Sequence, residues 1–592
     1  MGVSEGVVGF SYASFRWAGT RLLKVFPSLP EKLEVSGIRI HPEAYASLTA
    51  MITLLSLLIC ASLGVFIYLM TQSLPLLIIF LTLPLLIFLI VLTYPYGQAS
   101  ARAATLESEV PYAACYLAVM STGGISPYTS LTRIAKGDIM PQISKTARIA
   151  EMNVKVIGMD PVSAIENMVK GVPSKEYRDI MTGYASTLRI GGDVVHFLIR
   201  KTEQIFLSRM GKMRIVGERM GMIMEGYAAL TMMLSIVVFT IFIVSRALPS
   251  EFLTMPQEGF IMIAYVVIPF LSMFFLYLAD IMQPKYPKTD KRPYIAFALT
   301  IPFAIAFFVL FVIPSILEAL QTIPPFNITY EAIVRFRELM NLEPGYEFPI
   351  SLALFFMILF GPAMVVHEKY SKESFSLLHG ITLFLRDLTE IRKTGLSPEK
   401  CIMELANKHY EAFSKHLKVI ARQIGWGMPL RKIYRDFTQK VHTWTANVTM
   451  YILIDAIDVG GGTADTLETL ASFAEDLEEI ERQKRAALKP LMIIPYLTAV
   501  LLIIVVIILV VFMRNLLEIA TIYISQREFI HLFLPPVVLI AAISGLVAGK
   551  ISSGVTSAGF KHAFILSLTA LLSFWIAGTY IPELLELPPL QT

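Results

Sequence analysis

Long apolar stretches and long polar stretches take turns along this chain, and their lengths predict its elements. Apolar runs long enough to cross roughly 30 Å of hydrocarbon fall near residues 46–70, 74–94, 222–245, 260–279, 295–317, 349–366, 491–513, 533–549 and 562–582. Between them lie two polar segments, about 95–221 and 367–490, each large enough to fold as a domain. Within these segments apolar residues recur at helical spacing, as at Leu383, Leu385, Leu388 and Ile391. The pattern predicts an all-α, polytopic membrane protein with about nine transmembrane helices and two cytoplasmic helical bundles of about six helices each. The predicted boundaries are an N-terminal segment 1–44, spans 1 and 2 in 45–94, a first bundle 95–221, spans 3–6 in 222–366, a second bundle 367–490 and spans 7–9 in 491–592.

Composition agrees with a bilayer setting. Hydrophobic residues make up 55% of the 592, charged residues 16%, and mean hydropathy is +0.64, whereas a soluble chain carries roughly 25% charged residues. The N-terminal segment mixes Arg16, Arg21 and Lys24 with Phe15, Trp17, Leu22, Leu23 and Phe26. It lacks the continuous apolar core of a signal peptide and is expected to be retained. It reads as a docked helix, with a basic amphipathic helix lying on the membrane as the alternative.

Lys and Arg in the short connections set the orientation. Lys285, Lys288, Lys291 and Arg292 follow span 4, whereas the loop at about 318–348 holds Glu318, Glu331, Glu338, Glu343 and Glu347 against Arg335 and Arg337. The first connection is therefore predicted inside and the second outside. Nine crossings then put the N-terminus and both large domains in the cytoplasm and the C-terminus outside. Asn327-Ile-Thr in the external loop matches a glycosylation acceptor, a three-residue pattern that chance also produces.

One junction recurs. In KTGLSPEKCI, Gly395 suits the left-handed end of a helix, Ser397 can cap the next helix, and Pro398 fits its first turn. In TGGISPYTSL, 271 residues earlier, Gly124, Ser126 and Pro127 take the same roles. Downstream, Gly158, Met159 and Pro161 answer Gly427, Met428 and Pro429. RIGGDVVHFL, with Gly191 and Gly192, answers DVGGGTADTL, with Gly460 and Gly461. Each last match opens a charged helix that runs into a span. Any one of these turns is generic; three in order at nearly constant offset indicate an internal duplication.

Motifs for catalysis and cofactor binding are not found. No Lys follows VGGGTADT as a phosphate-binding loop requires, and SGLVAGKIS at 544–552 has the wrong glycine spacing. Cys60, Cys115 and Cys401 form no CxxC pair or His-rich cluster, so no metal site and no disulfide framework is predicted. The spans carry almost no charge at their centres, unlike those of an ion-coupled transporter. Pro84, Pro269, Pro302, Pro362 and Pro495 lie within them and are read as structural. No protease signature and no cofactor is expected.

What remains is charge on the predicted cytoplasmic side. Residues 95–219 carry sixteen Lys or Arg against eleven Asp or Glu, a balance of +5. The second domain segregates Arg386, Arg392, Lys393, Arg431, Lys432 and Arg435 into its first part, with acids gathered late. A solvated, positively charged inner face explains any one of them; over two duplicated domains the sharper expectation is a docking surface for a cytoplasmic protein. Nucleic acid is a poorer partner, because the basic residues are not interleaved with aromatics.

Two such bundles, each with a Gly-x-Ser-Pro turn and a later Gly-Gly before a charged helix entering a span, resemble the type II secretion F domain over about 107–245 and 379–513. Nine spans, against the three usual in bacterial members, resemble the archaeal archaellum and type IV pilus branch. The resemblance implies a non-catalytic assembly platform in the cell membrane. It would anchor a hexameric secretion ATPase and couple its movement to insertion of pilin-like or archaellin subunits from the lipid. The glycines, serines and prolines named above would then shape the bundles, and the six basic residues are candidate ATPase contacts. A homodimer fits equally well. The alternative reading is a polytopic transporter or channel with duplicated cytoplasmic domains.

Overall fold

In the computed structural model the described residues are 5–38, 40–71, 74–170, 172–247, 255–283, 286–287, 290–460, 462–520 and 526–584. At 5, 63, 66–71, 74–83, 86, 514–520, 526, 528 and 578–584 the described part is the backbone. Every regular element among the described residues is helical. In order they are α1 Glu5–Val25, α2 Leu29–Ser36, α3 Pro42–Thr71, α4 Leu74–Thr122, α5 Pro127–Lys136, α6 Pro141–Lys155, α7 Pro161–Met168, α8 Lys175–Arg189 and α9 Val194–Ala247. There follow α10 Gln257–Met262, α11 Ile268–Met282, α12 Arg292–Phe307, α13 Ile313–Ile316, α14 Phe326–Leu339, α15 Glu347–Arg392, α16 Pro398–Leu405 and α17 Phe413–Gly425. The chain closes with α18 Leu430–Lys440, α19 Trp444–Asp458, α20 Ala464–Leu488, α21 Ile493–Ala520, α22 Gln526–Ser553 and α23 Gly559–Leu584.

Eight helices among the described residues are long and apolar enough to cross a bilayer, and they coincide with eight of the nine predicted runs. The remaining run, 74–94, falls on α4, where side chains at 74–83 lie outside the described residues. The hydropathy pattern misses continuity. It divides bundle from span at 221 and 366, but α9 runs 54 residues and α15 runs 46 without a break. A helix needs only its own i→i−4 bonds to leave the bilayer, so polarity changes along it while the backbone does not. Prolines are absorbed in two ways. Pro302 and Pro362 sit inside α12 and α15, whereas π-helical turns at Ile263–Val267 and Phe308–Val312 lie just ahead of Pro269 and Pro314. The wider turn makes room for a ring that would clash with the preceding carbonyl.

The chain divides into two units: Met1–Glu203 with Pro284–Pro287, and Gln204–Gln283 with Lys288–Thr592. In the first unit α1 is docked on α3. The Tyr12 hydroxyl donates to Glu43 at 3.1 Å, Arg16 pairs with the same carboxylate at 3.7 Å, and a Cβ at Gly19 would overlap Ser47. The first bundle runs from the second half of α4 through α8 to the start of α9. Its most buried acid is Glu109, whose carboxylate accepts the N–H groups of Gln142 at 2.9 Å and Ile143 at 2.8 Å and so caps α6 from a different helix. In the second repeat the residue 271 positions later is Gly380, where a Cβ would overlap the Tyr410 carbonyl. There Ser376 accepts the Ala412 N–H at 3.2 Å, and Ser414 accepts that of Tyr410 at 2.7 Å. The repeats thus cap the same helix start with different groups.

Burial pushes the Glu109 carboxyl up to about 7, against the N–H groups of Ile143 and Gln142, which pull it down. A carboxyl that holds its proton more tightly folded than unfolded adds stability that is full below the ordinary carboxylate range. That stability is lost as pH rises through about 7. Glu109→Gln is expected to flatten the dependence of the full-length protein's melting temperature on pH between about 5 and 7. An unchanged slope would contradict this role for Glu109.

In the second unit the rings of Phe239 and Phe242 on α9, Phe260 on α10 and Phe533 on α22 meet at centroid distances of 4.5–5.6 Å, all fully buried. The glycines of SGLVAGKIS have a packing role. A Cβ at Gly545 would overlap the backbone of Ala563, and one at Gly549 the backbone of Gly559, so α22 and α23 approach at nearly backbone contact. Lys550 in the same stretch donates to the Gly554 carbonyl at 3.0 Å and pairs with Asp280.

Candidate functional site

The recurring turns are the natural place to look for function, because they are what the duplication kept. Six glycines close them with positive φ: Gly124 (81°), Gly158 (79°) and Gly191 (71°) in the first repeat, and Gly395 (89°), Gly427 (71°) and Gly460 (87°) in the second. No heavy atom lies within 4 Å of where a Cβ would stand at any of them. Backbone conformation, not space, therefore selects glycine here. Gly395→Ala is expected to cost about 1–2 kcal/mol, and Gly395→Asn less, since asparagine tolerates this region. Equal melting temperatures for wild type and the alanine variant would refute the assignment.

After each first turn the next helix starts in the same way. Ser126 Oγ accepts the Thr129 N–H at 3.3 Å and Ser397 Oγ that of Lys400 at 3.4 Å, with Pro127 and Pro398 in the first turn. Three further caps in the recurring turns escaped the sequence reading, although each is a standard cap residue before a helix. Asp160 accepts from Ser163 at 2.9 Å, Asp193 from His196 at 3.0 Å, and Thr463 from Thr466 at 3.3 Å. A Cβ at Gly192 would stand 3.1 Å from the Thr187 methyl. Gly461 lies outside the described residues, and its neighbour Gly462 makes the close approach: a Cβ there would stand 2.8 Å from Pro398 Cγ.

The basic residues singled out from the sequence divide into two groups. Arg392 donates from Nε to the Gly462 carbonyl at 2.7 Å and from Nη1 to the Leu396 carbonyl at 2.9 Å. Arg431 pairs with Asp458 at 3.0 Å and reaches Asp455 at 3.9 Å. These two arginines clamp three turns, 393–397, 426–429 and 459–463, into one tip. Lys393 pairs with Glu390 at 3.2 Å and Glu468 at 3.6 Å. Arg386, Lys432 and Arg435 are exposed and make no ion pair among the described residues. Of the apolar positions read on this helix, Leu385 and Leu388 are buried, Ile391 is half-buried, and Leu383 points outward at 36% exposure. Phe384 takes its place in the core, because the buried stripe is offset by one residue from the spacing assumed. In the first repeat Arg189 joins α8 to the last turn of α7 through Glu166 at 2.8 Å.

The tip of the second repeat stands far from the span of α15. From the end of the apolar run at 366 to Arg392, α15 extends about 40 Å at 1.5 Å per residue. The helices leaving the two bundles also meet each other within the second unit. Phe206 contacts the Phe473 ring at 5.5 Å, and Gln483 donates to Met210 Sδ at 3.4 Å. A Cβ at Gly217 would touch Ala487, and one at Gly221 would touch Leu491. At these four places α9 therefore meets the residue 267–273 positions later, the arrangement of a parallel pair about a local twofold axis. The pair is uneven. α9 continues through Gly221, whereas a 3₁₀ turn at Lys489–Met492, containing Pro490, separates α20 from α21.

Residues 113–242 and 384–511 both match the family of type II secretion system (T2SS), protein F. The chain carries the F domain twice. Each match begins in the helix that enters a bundle and ends in the span that leaves it, and so contains the three glycine turns and the exit helix. Proteins of this family are membrane platforms for secretion or pilus assembly rather than enzymes. An uncharacterized protein of Methanocaldococcus jannaschii is 22% identical over 505 residues, covering 82% of each chain. No solved structure matches the chain.

Proposed function

We propose that this protein is the cell-membrane platform of an archaeal surface filament, an archaellum or an archaeal type IV pilus. In this reading both F domains and the N-terminus face the cytoplasm and the C-terminus lies outside. The F domains anchor a hexameric secretion ATPase, and the platform passes its nucleotide-driven movement to pilin-like or archaellin subunits entering the filament from the lipid. Arg386, Lys432 and Arg435 are the basic residues free to reach the ATPase, while Arg392, Lys393 and Arg431 support the surface that carries them.

The observation that carries the reading is the joint between bundle and membrane. The first F domain exits through a helix that continues into a span, the second through a helix joined to its span by a single 3₁₀ turn, and the two exit helices meet at pairs about 270 residues apart. A displacement at a tip is then transmitted along a stiff rod rather than absorbed by a loop. The 82% coverage of an archaeal relative supports the archaeal assignment. Deleting the gene is expected to abolish one filament type while its processed subunits stay in the membrane. Normal filaments in the deletion strain would reject the reading.

A further inference from the structure

The N-terminal helix α1 meets the rest of the first unit along one face. Tyr12 and Arg16 engage Glu43, Gly19 lies against Ser47, and Leu22, Leu23 and Phe26 pack on a cluster of Leu29, Leu33, Tyr45 and Leu92. These contacts fix its depth. Tyr45 and Ser47 stand where the first apolar run begins and Leu92 where the second ends, and the Tyr45 hydroxyl ties the two by donating to the Val91 carbonyl at 2.6 Å. The part of α1 around Gly19 is therefore level with the edge of the hydrocarbon.

The opposite face carries a different set of side chains. Phe10 is 64% and Trp17 59% exposed, and Arg21 and Lys24, also exposed, continue the same stripe at helical spacing. The Arg21 guanidinium stands 5.5 Å from the centre of a Trp17 ring. Neither Arg21 nor Lys24 makes an ion pair among the described residues. No Asp or Glu occurs from residue 6 to residue 30, Glu43 is taken by Tyr12 and Arg16, and Glu31 and Glu34 follow only on α2.

A tryptophan at the edge of the hydrocarbon suits a boundary that is apolar on one side and wet on the other. Cations beside it are drawn to anionic headgroups. In water the same face would leave two large aromatic side chains uncovered.

We propose that the outward face of α1 binds the headgroups of anionic lipids, with Phe10 and Trp17 against the lipid and Arg21 and Lys24 on the lipid phosphates. One face of the helix holds the start of span 1 and the other holds the membrane surface, so the docked helix and the amphipathic surface helix are the same element. The assignment does not depend on the platform reading.

The test uses the full-length protein in nanodiscs of phosphatidylcholine, alone or mixed with phosphatidylglycerol, with spin-labelled phosphatidylglycerol as the reporter. Arg21→Gln with Lys24→Gln is expected to lower the affinity for the labelled lipid about 30-fold at low salt. The difference shrinks at about 0.5 M salt. The melting temperature in phosphatidylcholine alone stays unchanged, since both side chains are exposed. Brominated acyl chains are expected to quench a larger fraction of the tryptophan fluorescence in the wild type than in Trp17→Phe, a readout independent of the two cations. Equal affinity for phosphatidylglycerol in wild type and double variant would overturn the proposal, as would equal quenching in wild type and Trp17→Phe. Displacement of the label by inorganic phosphate, beyond that by chloride at the same ionic strength, would assign the cations to free phosphate and overturn it. Self-association abolished by Trp17→Ala would assign the face to a second copy, with the same consequence.

Discussion

Glu347→Ala is expected to destabilise the protein by about 3–5 kcal/mol, the cost of leaving a buried charge without its partner. Arg337 and Glu347 are 9% and 1% exposed, and their side chains form an ion pair at the membrane end of α15. The second carboxylate oxygen accepts the Gly345 N–H at 2.7 Å, so one substitution strands both a guanidinium and a backbone donor. The neighbouring Glu338, at 3.3 Å, is 61% exposed and replaces little of this. Removing both charges with Arg337→Met and Glu347→Leu is expected to recover most of the loss, because the desolvation of the pair disappears with it. Thermal unfolding of the three proteins in one detergent decides the matter. A double variant as unstable as Glu347→Ala would show that the loss is not electrostatic.

Gly549→Leu is expected to have an effect of similar size for a steric reason. The atoms it would meet are the Cα and N of Gly559 and the carbonyl carbon of Ala558, so no rotamer relieves the overlap and α22 must move from α23. Overpacking of this kind costs about 1–3 kcal/mol where side chains can yield, and more where backbone stands in the way. The melting temperature should fall in the order wild type, Gly549→Ala, Gly549→Leu. In Gly221→Ala the new Cβ meets only the tip of the Leu491 side chain at 3.6 Å, and that variant should resemble wild type. Equal stability of Gly549→Leu and wild type would show that the two helices are not in this contact.

Much of this architecture is legible in the sequence because it is written in local terms. Span lengths follow from hydropathy, and the turns follow from glycines that need positive φ and from Ser-Pro pairs that start helices. The duplication is visible because those turns recur in order. What the sequence hides are relations between residues distant along the chain. Arg392 looks like a free cation until its acceptor, the carbonyl of Gly462, is seen 70 residues away. Glu109 and Gly380 occupy equivalent positions and carry unrelated chemistry, because one caps a helix and the other lets a carbonyl approach. SGLVAGKIS resembles a failed nucleotide loop until α23 is laid against it.

The most direct test of the central claim is whether the full-length protein in nanodiscs binds the host's secretion ATPase, measured with and without nucleotide across a salt series. A saturable complex whose affinity depends on the nucleotide state and falls as salt rises is the expected result, because the candidate contacts Arg386, Lys432 and Arg435 are charged and exposed. Absence of a complex under every condition, with both proteins folded, would contradict it.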